Sequence, residues 1–144
     1  MSSGLRNVVL LSGHAGGTHN ATLLDAGECL LRELPELRMA VAAEYALACE
    51  AGQGLIATPG DSHAGEIETS RMLATRPELV KGSSPAEVSG FPAFILVRDK
   101  RRYWPGGVGG DPAQASSAKG RQLEALVVAA LGRLVETLER WEEG

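Results

Sequence analysis

The feature that most constrains the fold is a short apolar run, Val8-Val9-Leu10-Leu11-Ser12, which stops at Gly13 and opens into Gly13-His14-Ala15-Gly16-Gly17-Thr18-His19-Asn20. A continuous apolar run of this length, bounded by a glycine loop, has the pattern of a parallel strand covered on both faces. The stretch that follows, to about Glu33, predicts a helix with Leu23, Leu24, Leu30, Leu31 and Leu34 on its apolar side and Pro35 marking its end. Gly16 and Gly17 turn the chain, with Thr18 or Asn20 expected as the helix cap. Strand, glycine-rich loop and helix make an α/β unit, and ligands of such folds sit beyond the carboxyl ends of the strands. His14 falls at that place. The loop matches neither GxGxxG nor GxxxxGK[ST], and it lacks the lysine and the acidic residue that nucleotide sites use, so a nucleotide cradle is discounted.

The rest of the chain fits the same class. Residues 38–45, with Met39, Val41 and Ala43 alternating, predict a second strand. Residues 91–97 predict a third, with Pro92 at its start, where a missing donor is tolerated. Residues 1–6, 52–60 and 82–90 read as polar or loop segments, and Arg98-Asp99-Lys100-Arg101-Arg102 as a solvated turn. Ser116 or Ser117 caps a long final helix, in which Leu123, Leu126, Val127, Ala130, Leu134, Leu138 and Trp141 recur at helical spacing. At 144 residues the expectation is one α/β domain, residues 1–144, around a mainly parallel central sheet.

Charge and cysteine usage narrow the partners. A net charge of −4, with basic residues scattered apart from the one short run, argues against a nucleic-acid surface. No apolar run is long enough to span a bilayer, and the start lacks a signal-peptide pattern, so a soluble, cytoplasmic protein with no membrane partner is expected. Cys29 and Cys49 stand outside any CxxC spacing and are expected to be buried free thiols.

Chemistry concentrates around three histidines, the only ones in the chain. His14 and His19 fall within six residues of each other. The third lies in Gly60-Asp61-Ser62-His63-Ala64-Gly65-Glu66-Ile67-Glu68-Thr69-Ser70, which also carries three carboxylates. For a helix beginning near Ala64, His63 sits at its entrance, Glu66 lies close to the same face and Glu68 points away. A histidine and a glutamate converging across one turn can share a metal or divide acid and base roles. Ordinary capping by Asp61 or Ser62 ahead of acidic first-turn residues explains the same pattern equally well. Trp104, in Tyr103-Trp104-Pro105-Gly106-Gly107, either lines a substrate pocket or covers the edge of a core. Such a His, Glu and Asp set suits a divalent metal that polarises an amide carbonyl and activates a bound water. A serine nucleophile fits less well, because there is no GxSxG elbow and Ser12 belongs to a strand.

Three motifs together carry a resemblance. Ser12-Gly13-His14-Ala15-Gly16 with His19, then Asp61-Ser62-His63-Ala64-Gly65-Glu66-Ile67-Glu68-Thr69-Ser70 with Met72-Leu73 and Pro77-Glu78-Leu79-Val80, then Gly107-Val108-Gly109-Gly110-Asp111-Pro112 with Lys119-Gly120, resemble in order and spacing the creatininase (creatinine amidohydrolase) family. The resemblance implies a three-layer α/β sandwich with a mainly parallel central sheet, and hydrolysis of a non-peptide C–N amide bond of a small cyclic or formyl amide at a dinuclear divalent-metal site. Zn2+ is the first expectation, with Mn2+ or Fe2+ as alternatives. It implies His14 as a metal ligand, and Glu66 as a second ligand because Gly16 stands where creatininase proper has a ligand glutamate. His63 matches the proton-transfer histidine, with Glu66 beside it in the catalytic set. Asp61, His19 and Trp104 are the expected substrate-side residues, while Glu68 and Ser70 brace their helix.

The family is longer than this chain, and its N-terminal portion supplies a Glu, a His and a bridging Asp that are missing here. The expectation is therefore a second subunit carrying those ligands in a homo- or hetero-oligomer, since a sheet cut short leaves an unpaired edge and an exposed apolar face. The alternative is a non-catalytic assembly or scaffold subunit, or a degenerate copy.

Overall fold

The structure is a computed structural model that describes residues 4–142; residues 1–3 of the polar opening lie outside the described residues. Its contacts divide the chain into two compact units, residues 1–51 with 126–144, and residues 52–125.

In the first unit, β1 (Asn7–Ser12) pairs in parallel with β2 (Arg38–Ala43), in register from Asn7 opposite Arg38 to Ser12 opposite Ala43. The crossover is α1 (Gly17–Glu33), which packs on β2. Gly27 makes that close approach possible: a side chain there would meet Val41 Cγ2 at 3.3 Å and Met39 Sδ at 3.5 Å. The cap of α1 is Gly16, with no side-chain hydrogen bond, rather than Thr18 or Asn20. Asn20 instead donates through Nδ2 to Ala15 O at 3.2 Å. Directly after β2 the chain enters α2 (Glu44–Ala51), so the second strand ends two residues earlier than expected.

Two strands cover less than the sequence pattern anticipates. β2 is only half-buried along its length, Leu24, Leu30 and Leu31 of α1 and Leu34 just after it are exposed, and so is Cys29, against the expectation of a buried thiol. The expected strand at 91–97 is irregular chain, with Phe94 at φ 62 and both Phe94 and Leu96 fully exposed. A strand persists only by pairing, and no described residue pairs with this one in a ladder. The α/β class with a parallel sheet and covering helices nevertheless stands.

The second unit is organised by α3 (Glu66–Thr75) and the opening of α4 (Ser117–Arg140). Ser116 caps α4, its Oγ accepting from Lys119 N at 3.2 Å, while Ser116 N donates to the buried Ser70 Oγ of α3 at 3.1 Å. Gly120 lies against the Ser70 carbonyl so closely that a Cβ would overlap backbone. At the outer side, Arg71 Nε donates to Glu124 Oε1 at 2.7 Å.

Glu66 holds the unit together. Its side chain is fully buried and forms an ion pair with Lys119 Nζ. It also accepts from Ala57 N at 3.0 Å, Thr58 N at 2.7 Å and Thr58 Oγ1 at 2.7 Å. Burial pushes its carboxyl up, but Lys119, Thr58 and the backbone N–H groups of Ala57 and Thr58 outweigh that and hold it below its ordinary value of 4.5. The N-cap position of α3 is Gly65, and Asp61, four residues earlier, supplies the acceptors, with Oδ1 accepting from Glu66 N at 2.5 Å and Oδ2 from Ile67 N at 3.2 Å.

Two outcomes follow for stability. Glu66→Ala leaves Lys119 and three donors without their partner and is expected to cost about 3–5 kcal/mol in chemical denaturation, because breaking a buried pair from one side strands the other. A folded-state pKa below the unfolded one stabilises fully above the unfolded value. The Glu66 contribution is therefore intact above about pH 4.5 and lost as pH falls through the lower folded value. Acid titration of wild type against Glu66→Gln is expected to show the wild-type advantage shrinking below pH 4.5, and a difference constant down to strong acid would refute this assignment.

Candidate functional site

The two sets of histidines belong to different units, and each forms its own arrangement. In the first unit, the carboxyl end of β1 gathers Ser12, His14 and His19. Ser12 Oγ donates to His14 O at 3.0 Å, accepts from His14 N at 3.1 Å and lies 2.8 Å from His19 Nε2. Ser12 is buried, whereas both imidazoles are exposed, with ring centroids 5.2 Å apart and planes tilted by 56°. The His14 ring lies over Gly16, where a Cβ would collide with Nε2. Any side chain at 16 would therefore displace the imidazole. A cavity of about 810 Å³ in this unit opens elsewhere, beside Arg6 and Arg38 at the starts of the strands.

In the second unit, three segments are stitched together around His63. His63 N donates to Gly109 O at 3.1 Å and Gly109 N to His63 O at 2.7 Å, while Glu87 and Gly110 exchange bonds of 3.0 and 2.8 Å. Gly110, at φ 138, must be glycine on both counts, since a Cβ would also strike Asp61 and Gly65. The result presents the His63 imidazole at the surface. Its Nδ1 lies 3.7 Å from Glu68 Oε2, and its ring meets Trp104 edge-on at 5.5 Å. Trp104 is half-buried, anchored by Nε1 donating to Val108 O at 2.6 Å and by an edge contact with Phe91 at 6.1 Å.

The roles of the two glutamates are the reverse of the sequence expectation. Ala64 adopts a left-handed conformation, φ 49, and α3 begins at Glu66 rather than near Ala64. With that break the one-turn spacing from His63 no longer applies. Glu66 turns inward to Lys119, and Glu68 turns to His63 while accepting from Ala64 N at 2.5 Å. Glu66 thus has no oxygen left without a protein donor in this arrangement, and Asp61 is committed to capping α3. Among the described residues no three His, Cys, Asp or Glu side chains come together to hold a metal.

Two residues that sequence reasoning passed over carry the geometry. Ser12 belongs to a strand by composition, yet a strand-end serine two residues before a histidine is well placed to bond that histidine's backbone. Glu68, expected to brace its helix, faces His63. Beside it, a cavity of about 510 Å³ is bordered by Ala64, Glu68, Arg71, Met72, Val80 and Glu124.

Comparison with known proteins bears on the family and the fold. A family model described as Creatininase, creatinine amidohydrolase, matches residues 1–135. No curated protein matches the chain. A Bacteroides fragilis NCTC 9343 protein described as a candidate creatinine amidohydrolase is 26% identical, with a TM-score of 0.68 over 98% of this chain and 57% of that one. A creatininase in a form titled Mn is 24% identical, with a TM-score of 0.71 over 97% of this chain and 58% of that one. A mutant creatininase of Zn-Zn type is 23% identical, with a TM-score of 0.69 over 97% and 58%. The chain thus spans less than three fifths of the length of these structures. Its motifs, its α/β fold and a family match over nearly all of its sequence lead to one conclusion: the chain belongs to the creatininase family.

Proposed function

We propose that this protein is a metal-dependent hydrolase of C–N amide bonds other than peptide bonds, acting on a small cyclic or formyl amide in the cytoplasm. A second polypeptide, in a homo- or hetero-oligomer, would complete the metal site. The observation that carries this reading is the exposed His63, with Glu68 3.7 Å from its Nδ1 and Trp104 edge-on to its ring, within the motif that carries the family resemblance. The two imidazoles of the β1 loop are nitrogen donors of the kind divalent ions take, and they amount to part of a site. A bound divalent ion would polarise the amide carbonyl and lower the pKa of a water molecule. Zn2+ is favoured, Mn2+ and Fe2+ being the alternatives, and solved creatininases titled Mn and Zn-Zn support a divalent ion.

The chain's own residues then divide the work. His63 moves the proton between the attacking water and the leaving nitrogen, a role that calls for an imidazole in contact with solvent. Glu68, within ion-pair distance of Nδ1, orients the ring. Trp104 backs the imidazole from the other side and restricts where substrate can lie. Glu66 and Asp61 position this loop and take no part in the bond change.

A second reading is a non-catalytic assembly subunit or degenerate copy. It is favoured by the commitment of Glu66 and Asp61 to internal bonds. The two are separated by assaying ammonia, amine or formate release from a panel of small cyclic and formyl amides with Zn2+ or Mn2+ supplied. His63→Ala is expected to lower kcat by about 10²–10⁴-fold with an unchanged melting curve, since general acid–base groups contribute that much. Full activity in His63→Ala would reject the proton-transfer role, and no turnover by wild type in its native assembly would favour the scaffold reading.

A further inference from the structure

We propose that Glu87 is a positioning residue for Trp104: its carboxylate clamps the loop that carries the indole, and so sets how tightly substrate is held without entering the bond change. The kinetic consequence rests on the hydrolase reading, whereas the contacts themselves lie wholly within the second unit.

The loop, residues 103–110, is closed at its ends by backbone bonds. Gly90 N donates to Tyr103 O at 2.8 Å, and Glu87 and Gly110 exchange bonds of 3.0 and 2.8 Å. Between those ends, Gly106 and Gly107 bring no conformational preference of their own, and Gly107 stands at φ 66. The Glu87 side chain spans this permissive stretch. Its Oε1 accepts from Gly106 N and its Oε2 from Val108 N, each at 3.3 Å. Gly106 shows how close the carboxylate lies, since a Cβ there would collide with Oε2. A carboxylate suits the place better than an amide would: it offers two acceptor oxygens to two donors, where glutamine would offer one and turn its NH2 group against the other N–H.

Val108 passes the hold on to the indole. Its N–H is taken by Glu87, and its carbonyl accepts from Trp104 Nε1 at 2.6 Å, so acid and indole grip the two sides of one residue. Val108 is buried, where backbone groups need a protein partner. Trp104, fixed in this way, stands edge-on to His63 at 5.5 Å. The His63 backbone is secured separately, by its two bonds with Gly109, and the backbone bonds between Glu87 and Gly110 need no side chain at 87. Truncating the acid therefore frees the indole while leaving the imidazole where it is. Binding suffers and the proton transfer does not.

The test uses the full chain in its native assembly, carrying Trp141→Phe so that Trp104 is the one indole left of two. Acrylamide quenching of its fluorescence reads exposure with no amide present. Steady-state kinetics with the cyclic and formyl amides of the panel, creatinine and formamide among them, reads the consequence with Zn2+ supplied. Glu87→Ala is expected to move the quenching constant toward that of free indole and to raise KM about tenfold, equivalent to about 1.4 kcal/mol, with kcat within about twofold. Glu87→Gln is expected to fall between Glu87→Ala and wild type. Gly106→Ala, which keeps the acid but takes its room, is expected to reproduce both changes. Unchanged quenching in folded Glu87→Ala overturns the proposal, and so does a loss confined to kcat. Should Glu87→Ala fail to fold, wild-type quenching and KM in both Glu87→Gln and Gly106→Ala overturn it instead. Raised quenching in the variants with no turnover of any amide by wild type would leave the clamp standing while the hydrolase reading falls; turnover by wild type with quenching unmoved in the variants would do the opposite.

Discussion

A buried carboxylate is tolerable only when every oxygen is answered, and the second unit of this protein is arranged around one such answer. Glu66 reaches from the start of α3 to the loop at Ala57 and Thr58 and to Lys119 on α4, so one side chain ties three stretches of chain to each other. Removing the charge from water is costly, and the pair with Lys119 offsets that cost only because the remaining donors are also in place. Asp61 completes the arrangement by holding the first N–H groups of α3. The direction in which the chain leaves His63 is therefore a property of this polar core more than of His63 itself.

Much of the architecture is legible in the residues. The apolar run before Gly13, the leucine spacing of α1 and the heptad-like series along α4 each show a period that matches the element formed. Ser116 is a recognisable cap. What escapes is information that a local pattern does not hold. Residues 91–97 have strand composition, but a strand is defined by its neighbour. The leucines on α1 have the composition of a buried face, but a two-stranded sheet is too narrow to cover them all. The candidate site fails in one place for a single reason: spacing arguments assume uninterrupted helical geometry, and one residue in the left-handed region exchanges the duties of Glu66 and Glu68.

The imidazoles are also segregated along the chain. The β1 loop provides two imidazoles steadied by one hydroxyl, and the Gly109 bridge provides one imidazole steadied by a carboxylate and an indole. In each group a short polar side chain at the end of a regular element sets the orientation of a larger ring. This economy lets loops carry chemistry while the elements on either side of them keep their packing.

Ala64 shows what such an arrangement demands of sequence change. An L-residue with a side chain at φ 49 gives up about 1–2 kcal/mol that glycine would not. Glycine would relax the turn but widen the range of directions open to the imidazole before it, while a β-branched residue would refuse the turn altogether. Alanine is a compromise between thermal robustness and the aim of one ring. Laboratory selection for heat resistance alone would favour relief of this strain, and would loosen the aim of His63 in gaining it.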